Sequence, residues 1–342
     1  MATLTIGNWN VEWMNRWFAP DRAAPVWKRA TAGVTDLQGL AARVAGVIEG
    51  MGADIVTLQE GPSRFDEMAL FVRDHLGDAW AIAGPAGKGQ QKLYALIAKG
   101  SGVVADHLLI EARDGFDFAD PYDADVDGDL RLEPYTLTRP PLVLDLTLSE
   151  GRTIELISVH AKSKYVHNGA TLWRDPDTRQ DFVEMAIKAR RRIASEALRL
   201  RQYLNRRFEA DPDARIVVTG DFNDGPGLDY FETNYLAQNV AGLIAGSPYH
   251  PQVMLRHAFV DVVNKEDNFT AEFYDFVEEE ERRLLLDHVF VSPALFWNAE
   301  GARAVTGAVL HDLWRRFSDT SLPGERERRP SDHRPQVAVI DL

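Results

Sequence analysis

The stretch that most constrains the fold is Ile216-Val-Val-Thr-Gly-Asp-Phe-Asn-Asp-Gly-Pro-Gly227. A β-branched run that enters a Gly/Pro turn is typical of a buried strand. Side chains two positions apart in a strand point the same way, so Asp221 and Asn223 are predicted to leave its end together. Such a pair can fix a water beside a metal-bound phosphate. It is also typical of a helix cap or an Asx-turn, and the stretch alone does not choose between these interpretations.

Length and composition limit the class of protein that this chain can form. The chain has 342 residues, 45% of them hydrophobic, which is enough for one large core or two modest ones. The sequence contains no run of eighteen apolar residues, so it predicts no membrane span. The first residues lack a basic segment followed by an apolar one, so we expect an early strand, no secretory signal and a cytoplasmic location.

Cysteine content and charge exclude further classes. With no cysteine, the chain cannot use disulfides, thiolate catalysis or cysteine-ligated zinc. Its net charge of −14 argues against unselective attraction to phosphate polymers. Nucleic acid could still be bound through a local basic groove, or through a cation that carboxylates hold.

Other predicted strands also end in polar residues. Thr3–Val11 delivers Asn10 and Glu12 to one rim, Ala53–Gln59 is followed by Glu60, and Thr153–Val159 is followed by His160. Ligands of open α/β sheets bind at the carboxyl ends of strands. A carboxylate after a buried strand is hard to explain as core, because a buried charge needs a partner.

The C-terminal part repeats this pattern. Leu284–Val291 is predicted as a strand with Asp287-His288 in its middle, and Asp332-His333 precedes a last strand at Gln336–Ile340. If two sheets pack face to face, all of these polar residues converge on one rim.

Two helices and an acidic loop complete the prediction. Thr35–Gln38 resembles a capping box at the start of a helix. The helix Asp181–Phe208 is expected to turn a solvated cationic stripe without catalytic role outward: Lys188, Arg192, Arg199 and Arg206. Asp123–Asp129 imitates half of a calcium loop, but Pro134 occupies the position that needs a bidentate Glu. A solvated acidic loop is therefore the preferred interpretation.

Cationic residues flank two of the predicted strands. Arg139 stands at a kink made by Pro140 and Pro141. His160 is followed by Lys162 and Lys164 in an otherwise acidic protein. For Lys164 alone, a solvated loop position is the preferred interpretation.

Six short motifs then carry a resemblance. They are Trp9-Asn-Val11, Leu58-Gln-Glu60, Ser158-Val-His160, Thr219-Gly-Asp-Phe-Asn-Asp224, Leu286-Asp-His288 and Ser331-Asp-His333. In this order they resemble the motifs of the endonuclease/exonuclease/phosphatase superfamily. That group shares the fold of pancreatic deoxyribonuclease and includes apurinic endonucleases, sphingomyelinases and inositol polyphosphate phosphatases. The resemblance implies an α/β fold with a two-sheet β-sandwich between helices, and a single domain over residues 1–342.

The resemblance also implies roles for individual residues. Magnesium or manganese would be held by Glu60, with Asn10 and Asp332 close by. Asp221 and Asn223 would align and activate water, while His333, oriented by Asp287, would contact the phosphate or act as base. His160 would stabilise or protonate the leaving oxygen, and Arg139 and Lys162 would clamp phosphate oxygens. The insertion at about 228–283 and the loop Trp13–Val34 match no motif of the family.

Three functions remain open at this stage. The first is a weak, sequence-indifferent nuclease on DNA or RNA, which the cationic residues and the Trp/Arg-rich opening loop favour. The second is a phosphomonoesterase or phospholipid phosphodiesterase, which the acidic charge and the insertion favour. The third is an inactive scaffold, which intact motifs disfavour.

Overall fold

The computed structural model describes residues 3–86, 89–225, 229–236, 239–259 and 267–342. Within these ranges two six-stranded sheets pack face to face between outer helices, which confirms the predicted four-layer α/β architecture. None of the helices in these ranges combines the length and the apolar character that crossing a bilayer requires.

The elements are numbered along the chain. The strands are β1 (Thr3–Asn10), β2 (Ile55–Gly61), β3 (Trp80–Ala83), β4 (Lys92–Ala98), β5 (Val104–Leu109), β6 (Ala112–Arg113), β7 (Phe116–Asp117), β8 (Tyr122–Ala124), β9 (Glu133–Tyr135), β10 (Leu142–Leu148), β11 (Thr153–His160), β12 (Ile216–Asp221), β13 (Arg256–His257), β14 (Ala271–Asp275), β15 (Glu280–Leu284), β16 (Asp287–Val291), β17 (Val305–Val309) and β18 (Gln336–Asp341). The helices are α1 (Leu37–Gly50), α2 (Phe65–His75), α3 (Gly169–Arg174), α4 (Arg179–Ala210), α5 (Tyr230–Tyr235), α6 (Val240–Ala245), α7 (Pro293–Phe296) and α8 (His311–Arg316).

Strand directions decide where the polar strand ends meet. The first sheet has the order β17-β18-β1-β2-β4-β3 and the second the order β13-β16-β12-β11-β10-β5. β1 runs parallel to β2, and β11 runs parallel to β12, so their carboxyl ends share an edge. β18 and β16 are antiparallel to β1 and β12, so their first residues lie at that same edge.

Alternating side chains build three apolar layers. Leu4 of β1 and Val217 of β12 both belong to the inter-sheet core. Trp9 and the helices α1 and α2 close the outer face of the first sheet. Val218 and the helices α4 and α6 close the outer face of the second sheet. The period of two along each strand explains this division, because neighbouring side chains point to opposite faces.

The cap of α1 differs from the predicted capping box. Asp36, rather than Thr35, is the N-cap residue, and its carboxylate accepts a hydrogen bond from Gly39 N at 3.0 Å. Thr35 instead contacts the distant Glu327 carboxylate through both its N–H and its hydroxyl. Local spacing could not reveal this contact, because 292 positions separate the two residues.

Glu327 joins the C-terminal segment to the start of α1. Its side chain is 1% exposed, and it accepts hydrogen bonds from the backbone N–H groups of Gly324, Thr35 and Asp36. Burial by itself raises the pKa of this carboxyl, but these donors more than offset the effect and lower it to about 2. Glu327 therefore stabilises the fold as a carboxylate.

Replacing Glu327 with Gln is expected to destabilise the protein by roughly 2–3 kcal/mol at pH 7, because each pKa unit corresponds to about 1.4 kcal/mol. This stabilisation is complete above pH 4.5 and is lost as the pH falls towards 2. In urea unfolding, the difference between variant and wild type should therefore narrow below about pH 4.5. The exposed Glu325 offers the control Glu325→Gln. A pH-independent difference would contradict this account.

The cationic face of α4 is less solvated than its spacing predicts. Arg199 lies 3.8 Å from the ring of Phe116 and donates a hydrogen bond to the Asp117 carbonyl. Arg192 donates to the Thr136 carbonyl. The prediction of a solvated stripe is therefore wrong for both arginines, because residues 112–138 pack across this face. The side chains of Lys188 and Arg206 are exposed to solvent, as the sequence predicts.

The insertion at about 228–283 is described in part, since Leu228, residues 237–238 and residues 260–266 lie outside the described ranges. Its helix α6 packs on α4, and β13 extends the second sheet beside β16. The strands β14 and β15 form a separate hairpin, and Ala271 pairs with His333 at its base. This part of the chain therefore contributes to the sandwich and to the rim as well.

The acidic loop connects β8 to β9 and uses its carboxylates locally. Asp125 accepts hydrogen bonds from the Gly128 and Leu130 N–H groups, and Asp127 pairs with Arg191. The side chains of Asp125, Asp127 and Asp129 lie close together and exposed. These contacts agree with the solvated loop that the sequence favours.

Candidate functional site

Asp221 stands at the centre of the rim where the strand ends meet. Its Oδ2 accepts a hydrogen bond of 2.9 Å from Asn10 Nδ2. The same oxygen lies 3.6 Å from His160 Nε2 and 4.0 Å from His333 Nε2. Asn10 also donates to Glu60 Oε1 at 3.3 Å. Four residues from separate predicted strand ends therefore lie around the Asp221 carboxylate.

Local backbone geometry aims Asp221 at this centre. Gly220 has φ 140°, and a Cβ at this position would lie 1.9 Å from the Val159 carbonyl oxygen, so only glycine fits. Asp221 Oδ1 accepts a hydrogen bond of 2.8 Å from Asn223 N, and Asn223 Nδ2 donates to the Ala161 carbonyl. The Asx-turn interpretation is thus confirmed for one oxygen, and the other oxygen faces the rim.

His333 and Asp287 form the predicted pair. His333 Nδ1 lies 2.6 Å from Asp287 Oδ2, and Trp9 Nε1 donates to the His333 carbonyl. The expectation that Asp287-His288 lies in the middle of a strand is wrong, because β15 ends at Leu284 and Asp287 is the first residue of β16. This break turns Asp287 to the rim.

His288 points away from Asp287 into the second sheet. Its Nε2 lies 2.7 Å from the Asp224 carbonyl, and its Nδ1 lies 3.2 Å from His257 Nε2. Burial lowers the pKa values of both His288 and His257. This second histidine therefore braces the loop after β12 instead of meeting the rim.

Electrostatics couple the central groups. Burial raises the pKa of Asp221 to about 7; the charge of His333 lowers it and that of Asp287 raises it further. Burial by itself lowers the pKa of His333, yet Asp287 and Asp221 together raise it well above its usual value. An imidazolium between two carboxylates is therefore the favoured state of His333 near neutral pH.

His160 has the opposite character. Its side chain is 4% exposed, and burial together with the charges of Arg139, His333 and Lys162 lowers its pKa well below the usual value. A neutral imidazole facing Asp221 can donate a hydrogen bond but carries no net charge. The two rim histidines therefore differ in charge.

Three carboxylates line one side of the rim. Glu60 Oε2 accepts a hydrogen bond of 2.8 Å from Trp13 N, and Glu12 Oε2 accepts one of 2.7 Å from Asp332 N. Burial, followed by the charge of Asp332, raises the pKa of Glu12 to about 7. Burial also raises the pKa of Glu60, and the charge of Asp332 adds to this effect.

This carboxylate cluster fits a divalent cation. Buried like charges raise one another's pKa unless a cation compensates them, and oxygen ligands suit magnesium or manganese. Glu60 and Asp332 could supply such oxygens, whereas Asn10 lies close by with its Nδ2 towards Glu60 and its Oδ1 accepting from Glu12 N at 3.0 Å. Glu12 was noted in the sequence but not assigned, and it also pairs with Arg326 at 3.0 Å.

A second group of ligand atoms lies beside this cluster. Those of Asp221, Asp287 and His333 lie within 4.8 Å of one another. The short contact between His333 Nδ1 and Asp287 Oδ2 already uses one atom of each residue. In this structure the group is a hydrogen-bonded array, and the carboxylates of Glu60 and Asp332 are the other groups that could hold a cation.

Arg139 and Lys162 lie at the edge of the same centre. Arg139 donates to Gln91 Oε1, and burial lowers the pKa of Arg139. Glu196 of α4 accepts hydrogen bonds from the N–H groups of Thr138 and Lys162, at 2.9 and 2.8 Å. Sequence analysis missed Glu196. Its position on the apolar face of α4, three residues after Ile193, was the available signal.

Lys164 occupies a different place from the one predicted. Its side chain is 18% exposed, and Nζ pairs with Asp224, Asp229 and Glu232. Arg190 completes the network by pairing with Asp229. The solvated-loop interpretation is wrong, because Lys164 ties the loop after β11 to the loop after β12. Its charge is therefore committed within the protein.

A buried polar network supports the rim from below and was also missed. Gln59 Nε2 donates to Asn8 Oδ1 at 2.9 Å and to Ser158 Oγ at 3.2 Å across the two sheets. Gln336 Nε2 donates to the Asp287 carbonyl at 2.7 Å. Polar residues inside otherwise apolar strands were the signal. This network fixes the spacing of the sheets directly beneath the site.

Solved structures resemble the whole chain. TDP2 of Caenorhabditis elegans has TM-score 0.52 and 14% identity, covering 99% of this chain and 98% of that one. D. rerio TDP2, solved with a single-strand DNA product, has TM-score 0.50 and 15% identity and covers 100% of both chains. An endonuclease/exonuclease/phosphatase of Bacteroides vulgatus has TM-score 0.51 and 14% identity over 100% of both chains. At these identities the likeness establishes the fold.

Family membership rests on the sequence match. No curated protein sequence matches this chain. The model of the Endonuclease/Exonuclease/phosphatase family matches residues 7–333, and this range includes every rim residue described above. Members of this family are hydrolytic phosphoesterases that depend on divalent metals. The chain belongs to the Endonuclease/Exonuclease/phosphatase family.

Proposed function

We propose that this protein is a nuclease that hydrolyses phosphodiester bonds of DNA or RNA with magnesium or manganese. One observation carries the proposal: Asp221 Oδ2 lies within 4.0 Å of Asn10, His160 and His333, next to the carboxylate cluster of Glu60 and its neighbours. The rim then combines a proton acceptor, carboxylates that could hold a cation, and an imidazolium, which are the groups that phosphodiester hydrolysis uses.

The residues divide the chemistry among them. Asp221, held by Asn10 and aligned with Asn223, accepts a proton from the attacking water as the new P–O bond forms. His333, kept charged by Asp287, stabilises the negative charge on the phosphate oxygens. The bond from phosphorus to the leaving oxygen breaks, and His160 donates a hydrogen bond to that oxygen. Because His160 is neutral, we assign it this stabilising role, and the proton that the leaving oxygen takes up comes from solvent.

The cation would be held by Glu60 and Asp332 with the help of Asn10. When bound, it polarises the phosphate and offsets the negative charge of the rim. Burial raises the pKa of Glu60, and the hydrogen bond from Trp13 N opposes this. The Trp13 contact therefore holds Glu60 in place for the cation.

Nucleic acid is the substrate that the surroundings favour. Arg139 and Lys162 bring positive charge to the edge of the rim, and they suit the phosphates that flank the bond to be cleaved. The D. rerio TDP2 structure holds a single-strand DNA product on the same fold. With so few cationic contacts on a protein of charge −14, affinity should be modest and the salt dependence shallow.

A substrate panel tests the proposal. We expect cleavage of oligonucleotides and of bis-p-nitrophenyl phosphate with magnesium or manganese, and hydrolysis of p-nitrophenyl phosphate at least about tenfold more slowly. Excess chelator should abolish all turnover, and Glu60→Gln should raise the metal concentration needed for half-maximal rate.

Two results would contradict the proposal in different ways. Full turnover in excess chelator would reject metal-dependent chemistry altogether. Turnover of a monoester or a phospholipid without cleavage of any nucleic acid would favour a phosphomonoesterase or phospholipid phosphodiesterase instead.

A further inference from the structure

Trp13 is an exposed tryptophan whose backbone contacts Glu60, one of the carboxylates proposed to hold the cation. The backbone N–H of Trp13 donates to Glu60 Oε2 at 2.8 Å, while its side chain is 39% exposed. In the same opening segment Trp9 and Trp17 are 0% and 1% exposed, so they behave as core residues. The backbone contact of Trp13 with Glu60 places this exposed indole next to the rim, where it is available to a ligand bound there.

The backbone adopts a disfavoured conformation to present this ring. Glu12 and Trp13 have φ values of 49° and 59°, two consecutive left-handed residues that carry side chains. L residues rarely adopt this region unless surrounding contacts enforce it, and such strain clusters at functional sites. Here Glu12 is held by Arg326 at 3.0 Å and by Asp332 N at 2.7 Å. The rim itself therefore fixes the turn that leaves Trp13 at the surface.

A cation lies against the same ring. The guanidinium carbon of Arg16 is 3.8 Å from the centroid of the Trp13 ring, and Arg16 is exposed. The Arg16 N–H also donates to the Trp13 carbonyl at 2.9 Å, so one short turn carries both groups. Trp13 remains 39% exposed although the guanidinium lies against its ring.

We propose that Trp13 and Arg16 form a platform for one unpaired nucleotide next to the bond that is cleaved, so that the preferred substrate is single-stranded. Trp13 stacks on the base, and Arg16 contacts the adjoining phosphate. Bases of a duplex are already stacked on both faces and cannot reach the indole without unpairing. This inference rests on the proposed nuclease function and adds its substrate class.

Kinetics of four variants test the platform. KM and kcat are measured with magnesium on a fluorescent single-stranded oligodeoxynucleotide and on the same strand annealed to its complement. Trp13→Ala should raise KM for the single strand roughly tenfold, since stacking on one base is worth such a factor or more. Its effect on the duplex should be below twofold. Trp13→Phe should retain most of the single-strand preference, and Arg16→Ala should raise KM and flatten its salt dependence.

The matched control is Trp297→Ala. Trp297 is 44% exposed and follows α7, at the end of β16 opposite Asp287, so its loss should leave both substrates unaffected. Thermal unfolding shows whether Trp13→Ala folds. If it does not, KM of Trp13→Phe and of Arg16→Ala is compared with that of the wild type, and an unchanged single-strand KM for Arg16→Ala would contradict the platform.

Three other results would contradict the platform, the nuclease function or the substrate class. Equal changes on single strand and duplex, or none on either, would overturn the platform while leaving the nuclease function intact. A wild-type protein that cleaves no nucleic acid would reject the nuclease function and the platform together. A wild type that prefers the duplex would overturn the substrate class alone.

Discussion

His333→Ala is expected to lower kcat for phosphodiester hydrolysis by about 10³-fold, within the range that a positioned acid–base or charged group contributes. The variant loses an imidazole whose Nδ1 lies 2.6 Å from Asp287 and whose Nε2 lies 4.0 Å from Asp221. The unfolding temperature should also fall, because the buried Asp287 carboxylate loses its ion-pair partner, so kcat is measured below the unfolding temperature of the variant. Asp287→Asn should also lower kcat, since it frees the ring and removes the charge that keeps its pKa high.

The control for this variant is His288→Ala. His288 is buried between the Asp224 carbonyl and His257, so its loss should lower the unfolding temperature more than it lowers kcat. Both variants should therefore lose stability, and only His333→Ala should also lose most of its turnover. A loss of kcat as large for His288→Ala as for His333→Ala would show that the wrong histidine was assigned to the rim.

Lys164→Ala is expected to destabilise the protein by roughly 3–5 kcal/mol, the cost of removing one partner from a buried ionic network. Asp224, Asp229 and Glu232 would remain close together, with Arg190 bound to one of them. Burial by itself lowers the pKa of Lys164, but the three carboxylates raise it above its usual value, so the lysine is charged. Urea unfolding at pH 7 measures the effect.

Two further variants sharpen this test. Lys162→Ala removes a lysine from the same loop. Its side chain donates a long hydrogen bond of 3.4 Å to the Ser163 carbonyl, so stability should change by less than about 0.5 kcal/mol. Adding Glu232→Gln to Lys164→Ala should recover part of the loss by removing an unpaired charge. Equal stability of the two lysine variants would contradict the network.

Much of the fold could be predicted from periodicity. The run Ile216–Asp221 and the apolar stripe of α4 appear where the sequence places them, because burial of alternate or every third to fourth side chain is written into local spacing. The predicted strands Thr153–Val159 and Gln336–Ile340 correspond to β11 and β18 to within one residue. The two-sheet arrangement came from the resemblance of six ordered motifs.

Candidate site residues could be predicted because polar side chains at the ends of apolar strands have few structural explanations. Asn10, Glu60, His160 and Asp221 do lie together at one edge. Their proposed roles still await the kinetics described above. Spacing alone could not rank Glu12 against Glu60, or His288 against His333, and only the resemblance to the family favoured Glu60 and His333.

The tertiary structure decided which of these groups meet. Trp9 reaches the His333 carbonyl across 324 positions, and Gln59 reaches Ser158 from the opposite sheet. Lys164 was assigned to solvent because its partners lie 60 to 68 positions away. Local spacing fixes the face on which a side chain lies, so the sequence by itself determined the strands, the helices and the polar strand ends. Partners depend on strand order and on how the sheets stack, and only the folded chain sets these.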